Sequence, residues 1–250
     1  MANLAPRFRL PRVFERGVDA VPTLVVYSGA APVAVTEAGS TYTVTDADGA
    51  EVFSGPVSVG MDNVVSAAVA GAFTADRDYS DRWIEEWALV IDGATHRFAC
   101  DAINARRKLY NVVTQDDLKR RHPQIVAENL APELADFSGQ IEEAFEELER
   151  ELIERGNRPN LIVSPWSCRA CVLALALSFV FRDAITNANG ESDRFRDLAK
   201  FYADEYAARF PKLTYAADAN QDGKIGKVRP AASPVVFLSA TPRATRQGLT

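Results

Sequence analysis

The chain has little of what usually carries chemistry: 2 histidines, 3 cysteines and 2 methionines in 250 residues. An odd, small set of cysteines (Cys100, Cys168, Cys171) argues against a disulfide scaffold of the secreted kind. The N-terminus MANLAPRFRLPRVF lacks the apolar run of a signal peptide, so synthesis and residence in the cytoplasm are expected. The longest apolar stretch, Ala170 to Phe181 broken by Ser178, is shorter than the about 20 residues a bilayer span requires. It reads as a buried core helix, with no membrane role. There is no Ser-x-x-Lys, no Gly-x-Ser-x-Gly and no phosphate-cradling glycine loop. The net charge of −6 excludes a global basic field that would draw the chain to nucleic acid. No enzyme activity and no cofactor are expected.

Hydrophobic residues make up 47%, enough for a sizeable core. An α+β architecture is expected. Residues 1–20 carry Arg7, Arg9 and Arg12, two prolines and no clear period, and read as an arm. Residues 21–105 read as an Ig-like β-sandwich, although no Cys–Trp–Cys pattern supports a true immunoglobulin domain. Thr41, Thr43 and Thr45 alternate with Tyr42 and Val44, the period of a half-buried strand. Asp48-Gly49 and Asp92-Gly93 mark hairpin turns, because glycine accepts positive φ. The segment VVSAAVAGAF is ambiguous between strand and helix.

Residues 106–215 read as a helical bundle. Thr114 with Asp117 forms an approximate capping box, and His122-Pro123 ends that helix. Residues 133 to 155 hold nine acids against two arginines, with Leu134, Phe137, Ile141, Phe145, Leu148 and Leu152 in one apolar stripe and Gly156 at the expected C-terminus. Ser164-Pro165 opens a helix running to about Thr186. A further helix spans about Ser192 to Phe210, with Phe195, Leu198, Phe201, Tyr202 and Tyr206 facing one way and Pro211 after it. Residues 216–250 read as a polar turn and an extended C-terminal arm.

Several groupings could carry chemistry. His96, Cys100, Cys168 and Cys171 have spacings that suit zinc, but Cys168 and Cys171 sit in an apolar helix, where packed thiols are the expectation. Asp218, Asn220, Asp222 and Gly223 match the start of a calcium loop. The twelfth position is Arg229 where a bidentate glutamate is needed, so a polar turn is favoured over calcium or a metal-dependent hydrolase. Trp83, Trp87 and Tyr79 either line a sugar site or fill the sandwich core, and core is favoured. The basic clusters Arg106-Arg107-Lys108 and Lys119-Arg120-Arg121 lack interleaved aromatics and read as a solvated junction.

The helical half resembles the head–tail connector (adaptor) proteins of tailed bacteriophages. The resemblance rests on the Thr114 to Leu118 helix, the helix beginning near Leu134, the small-residue apolar helix Trp166 to Ile185, the aromatic helix with Phe195, Phe201, Tyr202 and Tyr206, and the Asp218 to Gly223 turn before a strand-like arm. It covers residues 112 to 245, and the β module has no counterpart in the minimal family. The resemblance implies a homo-oligomeric ring, usually of twelve copies, in the virion neck. The ring would bind the portal protein on one side and a neck, stopper or tail protein on the other. Genomic DNA would pass through it without sequence-specific binding.

Two features of the residues fit that picture. The tail is basic, and Val235, Val236, Phe237 and Leu238 form a strand-like run that is a liability unless it pairs. Arg229 and Arg243 flank it, and these six residues are the expected portal- or subunit-binding arm. Glu142, Glu143, Glu146 and Glu147 are the expected lumen-facing acidic surface, where like charge lets a duplex slide. The alternative is a carbohydrate- or peptide-binding sandwich on a tail-associated structural protein.

Overall fold

The computed structural model describes residues 4–7, 10–123, 125, 136–187, 192–226 and 228–231. The chain is α+β, with sheets in the N-terminal half and helices in the C-terminal half. The first half contains β1 (Leu4–Pro6), β2 (Arg12–Glu15), β3 (Thr23–Leu24), β4 (Val26–Ser28) and β5 (Ala31–Pro32). It continues with β6 (Thr36–Thr45), β7 (Glu51–Pro56), β8 (Ser58–Val59), β9 (Val65–Ser66), a short helix α1 (Ala72–Ala75), β10 (Ser80–Ile91) and β11 (Ala94–Ala105). The main sheet has five strands in the order β2-β11-β10-β6-β7, and two three-stranded sheets, β1-β4-β5 and β3-β9-β8, accompany it.

Both expected hairpins form. Asp92 (φ 50°) and Gly93 (φ 78°) both take positive φ between β10 and β11, the two-residue turn whose twist matches the strands. Between β6 and β7, Gly49 has φ 81°, and the Asp46 carboxylate accepts hydrogen bonds from the N–H groups of Asp48 (3.0 Å) and Ala50 (2.9 Å). Alternation then buries Tyr42 and Val44 on β6 and Trp83, Trp87 and Leu89 on β10. The Tyr42 and Trp87 rings lie 4.3 Å apart, centroid to centroid. Each buried ring of this size removes about 150–250 Å² from water, on the order of 4–6 kcal/mol before entropy is counted. The ambiguous segment VVSAAVAGAF divides into β9 and α1.

The N-terminal segment is not an arm. β1 pairs with β4, and β2 runs parallel to β11 with Phe14 buried against Trp83. The β module therefore starts at residue 4 and not at residue 21. Strands of three and four residues are too short to show a period.

The second half holds α2 (Gln115–Arg121), α3 (Ser138–Glu154), α4 (Arg169–Asn187) and α5 (Ser192–Arg209), then β12 (Thr214–Ala216) and β13 (Val228–Pro230). Helix α4 packs against α2, α3 and α5 and is the centre of this core. Thr114 and Asp117 form the expected capping box on α2. Asp117 also accepts an ion-paired hydrogen bond from Arg169 at 2.6 Å, tying α2 to α4. In α3, Ile141, Ala144, Leu148 and Leu152 are buried at helical spacing. The helix starts at Ser138 rather than Glu133, and Leu134 lies outside the described residues. Its end is a Schellman motif: Gly156 (φ 76°) donates to Ile153 O and Asn157 donates to Leu152 O, both at 2.8 Å. Pro165 opens a 3₁₀ turn before α4, with no capping bond from the Ser164 side chain. On α5, Tyr202 and Tyr206 are buried but Phe201 is 55% exposed, so the aromatic face is not uniform.

The expected C-terminal arm starts too early. β12 and β13 pair antiparallel, with Tyr215 opposite Arg229. Ala231 is fully buried; its N–H donates to Leu213 O and its carbonyl accepts from the Asn157 amide, both at 2.8 Å. The Asn157 amide oxygen accepts from the Tyr215 hydroxyl at 2.6 Å, so one side chain fastens both strands. The body therefore extends to Ala231, and the backbone of Arg229 belongs to it. Val235, Val236, Phe237, Leu238 and Arg243 lie outside the described residues.

Candidate functional site

Spacings of three and four residues place Glu142, Phe145, Glu146, Glu149 and Ile153 on one face of α3. That face forms one wall of a cleft of about 800 Å³ between the two modules. Opposite stand Arg7, Leu10, Pro11, Val21 and Val25 from the N-terminal strands and their connections, with Lys108 from the segment joining the modules. Asn157, Arg158 and Asn160, from the turn after α3, complete it. Arg158 is ion-paired with Asp81, linking the helical module to β10.

The electrostatics of this cleft are mixed. Arg12 is committed on its far side: its Nε donates to Glu85 at 2.7 Å and its Nη2 to the Thr23 carbonyl at 3.0 Å. Glu85 is only 1% exposed inside the sandwich and also accepts from the Tyr42 hydroxyl at 2.8 Å. Burial, with the neighbouring Glu85 charge, pushes the Tyr42 hydroxyl above its ordinary range. Glu149 is half-buried on the α3 wall. Burial pushes its carboxyl up to about 7, Lys108 pulls it down and Glu146 pushes it up. Asn160 is 8% exposed, and among the described residues its side-chain oxygen has no hydrogen-bond partner.

The four glutamates expected on one lumen-facing surface divide between two surroundings. Glu142 and Glu146 line the cleft. Glu143 meets Arg182 at 3.3 Å, and Glu147 is ion-paired with Arg150.

The Asp218–Gly226 turn is the loop between β12 and β13. The Asp218 carboxylate accepts from the N–H groups of Asp222 (3.1 Å) and Gly223 (2.8 Å), and Arg106 stands 3.9 Å away. Gln221 accepts from the Arg106 N–H at 2.8 Å. The carboxylate thus braces its own loop and faces a cation, and β13 follows where a calcium loop would have a helix. Among the described residues no group of three or more His, Cys, Asp or Glu could hold a metal ion. His96 and Cys100 lie on β11, opposite Leu89 and Glu85, while Cys168 and Cys171 belong to the helical core. Burial raises the Cys168 thiol to about 12 and the Cys171 thiol to about 11, so both stay protonated. Trp83 and Trp87 are buried, and Arg16 lies over the Tyr79 ring, so the three form no open aromatic platform. Arg121 is ion-paired with Glu205.

Sequence reasoning missed Glu149, Asn160 and the Arg12–Glu85 pair. Glu149 had a signal, standing three and seven residues after Glu146 and Glu142. Nothing local marks Asn160 or the pairing of residues 12 and 85.

No family model matches the chain, and no curated protein matches it. Among solved structures, CopC from Methylosinus trichosporium OB3b aligns at 14% identity, with a TM-score of 0.28, over 40% of this chain and 89% of that chain. A likeness that slight carries no weight for fold or function.

Proposed function

We propose that the chain is a subunit of a phage head–tail connector ring, an adaptor under the portal that joins capsid to tail and lets DNA pass through its lumen. The observation that carries this reading is the composition of the C-terminal sequence. The described core reaches Ala231, and the nineteen residues after it in the sequence include Val235-Val236-Phe237-Leu238, Arg243, Arg246 and no acid. An apolar strand-forming run next to cations suits addition to a partner's sheet edge. Exposed apolar side chains on the helical half, Trp166 (63% exposed) and Phe201 among them, offer surfaces for neighbouring copies. The subunit works in a ring, of twelve copies as the resemblance implies, through contacts and shape and without a catalytic step. In the particle it occupies the virion neck. Because Glu143 and Glu147 are paired with arginines, the lumen surface is closer to neutral than the count of glutamates suggests.

The test is truncation after Ala231, where every described core residue is kept. The shortened chain should keep the circular dichroism spectrum and melting temperature of the full chain, yet fail to co-sediment with portal rings. Equal attachment by both forms rejects the proposal.

A further inference from the structure

We infer that the cleft between the modules binds a small zwitterion, a molecule with a carboxylate at one end of an apolar body and an ammonium group at the other. A short peptide with free ends is the plainest such molecule. The inference does not rest on the ring proposed above.

Arg12 receives the carboxylate. Its side chain lines the cleft and is 26% exposed. Nε donates to Glu85 and Nη2 to the Thr23 carbonyl, while Nη1 has no partner among the described residues and is left to donate to a ligand oxygen. Glu85, 1% exposed and also held by the Tyr42 hydroxyl, fixes the guanidinium in place. Burying a carboxylate is costly, and the outcome here is an arginine set in one orientation at a cavity wall. Arg7 lines the same side. Asp101 stands there too, so the fixed geometry of Arg12, more than net charge, selects the carboxylate.

The α3 wall receives the ammonium group. Glu142, Phe145 and Glu149 follow one another at intervals of three and four residues, so a ring stands between two carboxyls on one stripe. All three line the cleft. Among the described residues neither Glu142 nor Glu149 is ion-paired, unlike Glu143 and Glu147. Burial raises the Glu149 carboxyl despite the pull of Lys108, so this carboxyl gains from a second cation.

An apolar lining that includes Leu10, Val21, Phe145 and Ile153 joins the two ends. At about 800 Å³ the cleft lies within the range of sites for drug-sized molecules. A second cavity of about 390 Å³ shares Glu142 and Phe145 with it, which suits an elongated body over a compact one. Because the two walls belong to different modules, a bound molecule ties the β module to the helical module.

The test titrates the full chain with tri-leucine, with its N-acetylated form, which lacks the ammonium group, and with its C-terminal amide, which lacks the carboxylate. Calorimetry should show one site per chain for tri-leucine and about tenfold weaker binding of either capped form. No binding of tri-leucine, or binding that either cap leaves unchanged, overturns the inference. Variants then locate the site. Glu142→Gln with Glu149→Gln should bring tri-leucine down to the level of the acetylated form. Arg12→Ala with Glu85→Leu, which removes the buried pair as a unit, should bring it down to the level of the amide, with the melting temperature as the check on folding. If that pair does not fold, Arg7→Ala is read in its place and should weaken tri-leucine about threefold while leaving the amide unaffected. Affinities that these substitutions leave unmoved put the binding elsewhere on the chain and overturn the inference. No portal is present, so the result is independent of the attachment test.

Discussion

The two halves of the molecule fill their interiors in different ways. The β module relies on a few large rings, Phe14, Tyr42, Phe53, Trp83 and Trp87, and encloses a carboxylate, Glu85, held by Arg12 and the Tyr42 hydroxyl. The helical module uses many aliphatic side chains around α4, such as Leu148, Leu152, Leu177 and Val180, and keeps its main ion pair, Asp117–Arg169, nearer the surface. Both halves join distant residues: residue 12 meets residue 85 in the first, and Asp117 meets Arg169 and Asn157 meets Ala231 in the second. Helical spacing marks the buried face of α3 in the sequence, and in neither half does periodicity name the distant partners.

That contrast can be broken by choosing which core to damage. Trp87→Ala should have the largest effect, about 3–5 kcal/mol, because it empties a ring-sized volume in a close-packed core. Chemical denaturation followed by tryptophan fluorescence checks it, and a loss below about 1 kcal/mol would mean the sandwich core is not tightly packed. Leu148→Ala should cost about 2–4 kcal/mol from the helical core. If the modules unfold separately, each substitution moves only its own transition in calorimetry. A shift of both transitions by either change would show one cooperative unit.

Arg12→Ala should cost about 2–3 kcal/mol, since it leaves the Glu85 carboxylate buried without its cation. Adding Glu85→Leu should recover most of that loss, which double-mutant denaturation would reveal. A smaller effect is expected at Glu149. Its carboxyl titrates near 7 in the folded chain against 4.5 ordinarily, so folding favours the protonated form. The stability this contributes is full below pH 4.5 and is lost as the pH rises through 7. Glu149→Gln should therefore change little at pH 4.5 and stabilise by about 1–2 kcal/mol at pH 8, with melting measured at both. Equal effects at the two pH values would refute the burial of this carboxyl. Gly156→Ala should cost least, about 1 kcal/mol, from placing a Cβ at positive φ.

The two chain ends extend the lesson. Both are basic and lack a period, and both read as arms. The N-terminal one enters the sheet through Val13 and Phe14, while the C-terminal one is held as far as Ala231 by Asn157. Short strands carry no signature of their own, because what stabilises them is a partner elsewhere in the chain. The site shows the same limit. The acids of α3 are plain in the sequence, but only packing against the β module separates Glu142, Glu146 and Glu149 in the cleft from Glu143 and Glu147 beside arginines.

The sequence by itself determined the two hairpins, the α2 cap, the apolar stripe and glycine stop of α3, and the buried character of α4. Each depends on residues within a few positions of one another, where backbone geometry and side-chain spacing act directly. Only the tertiary structure decided that residue 12 neutralises residue 85, that residues 4 and 231 both belong to the folded body, and that a cleft with an acidic wall opens between the modules. Those outcomes depend on groups far apart in the chain meeting in a low-dielectric interior, and local sequence carries no record of which partner each will find.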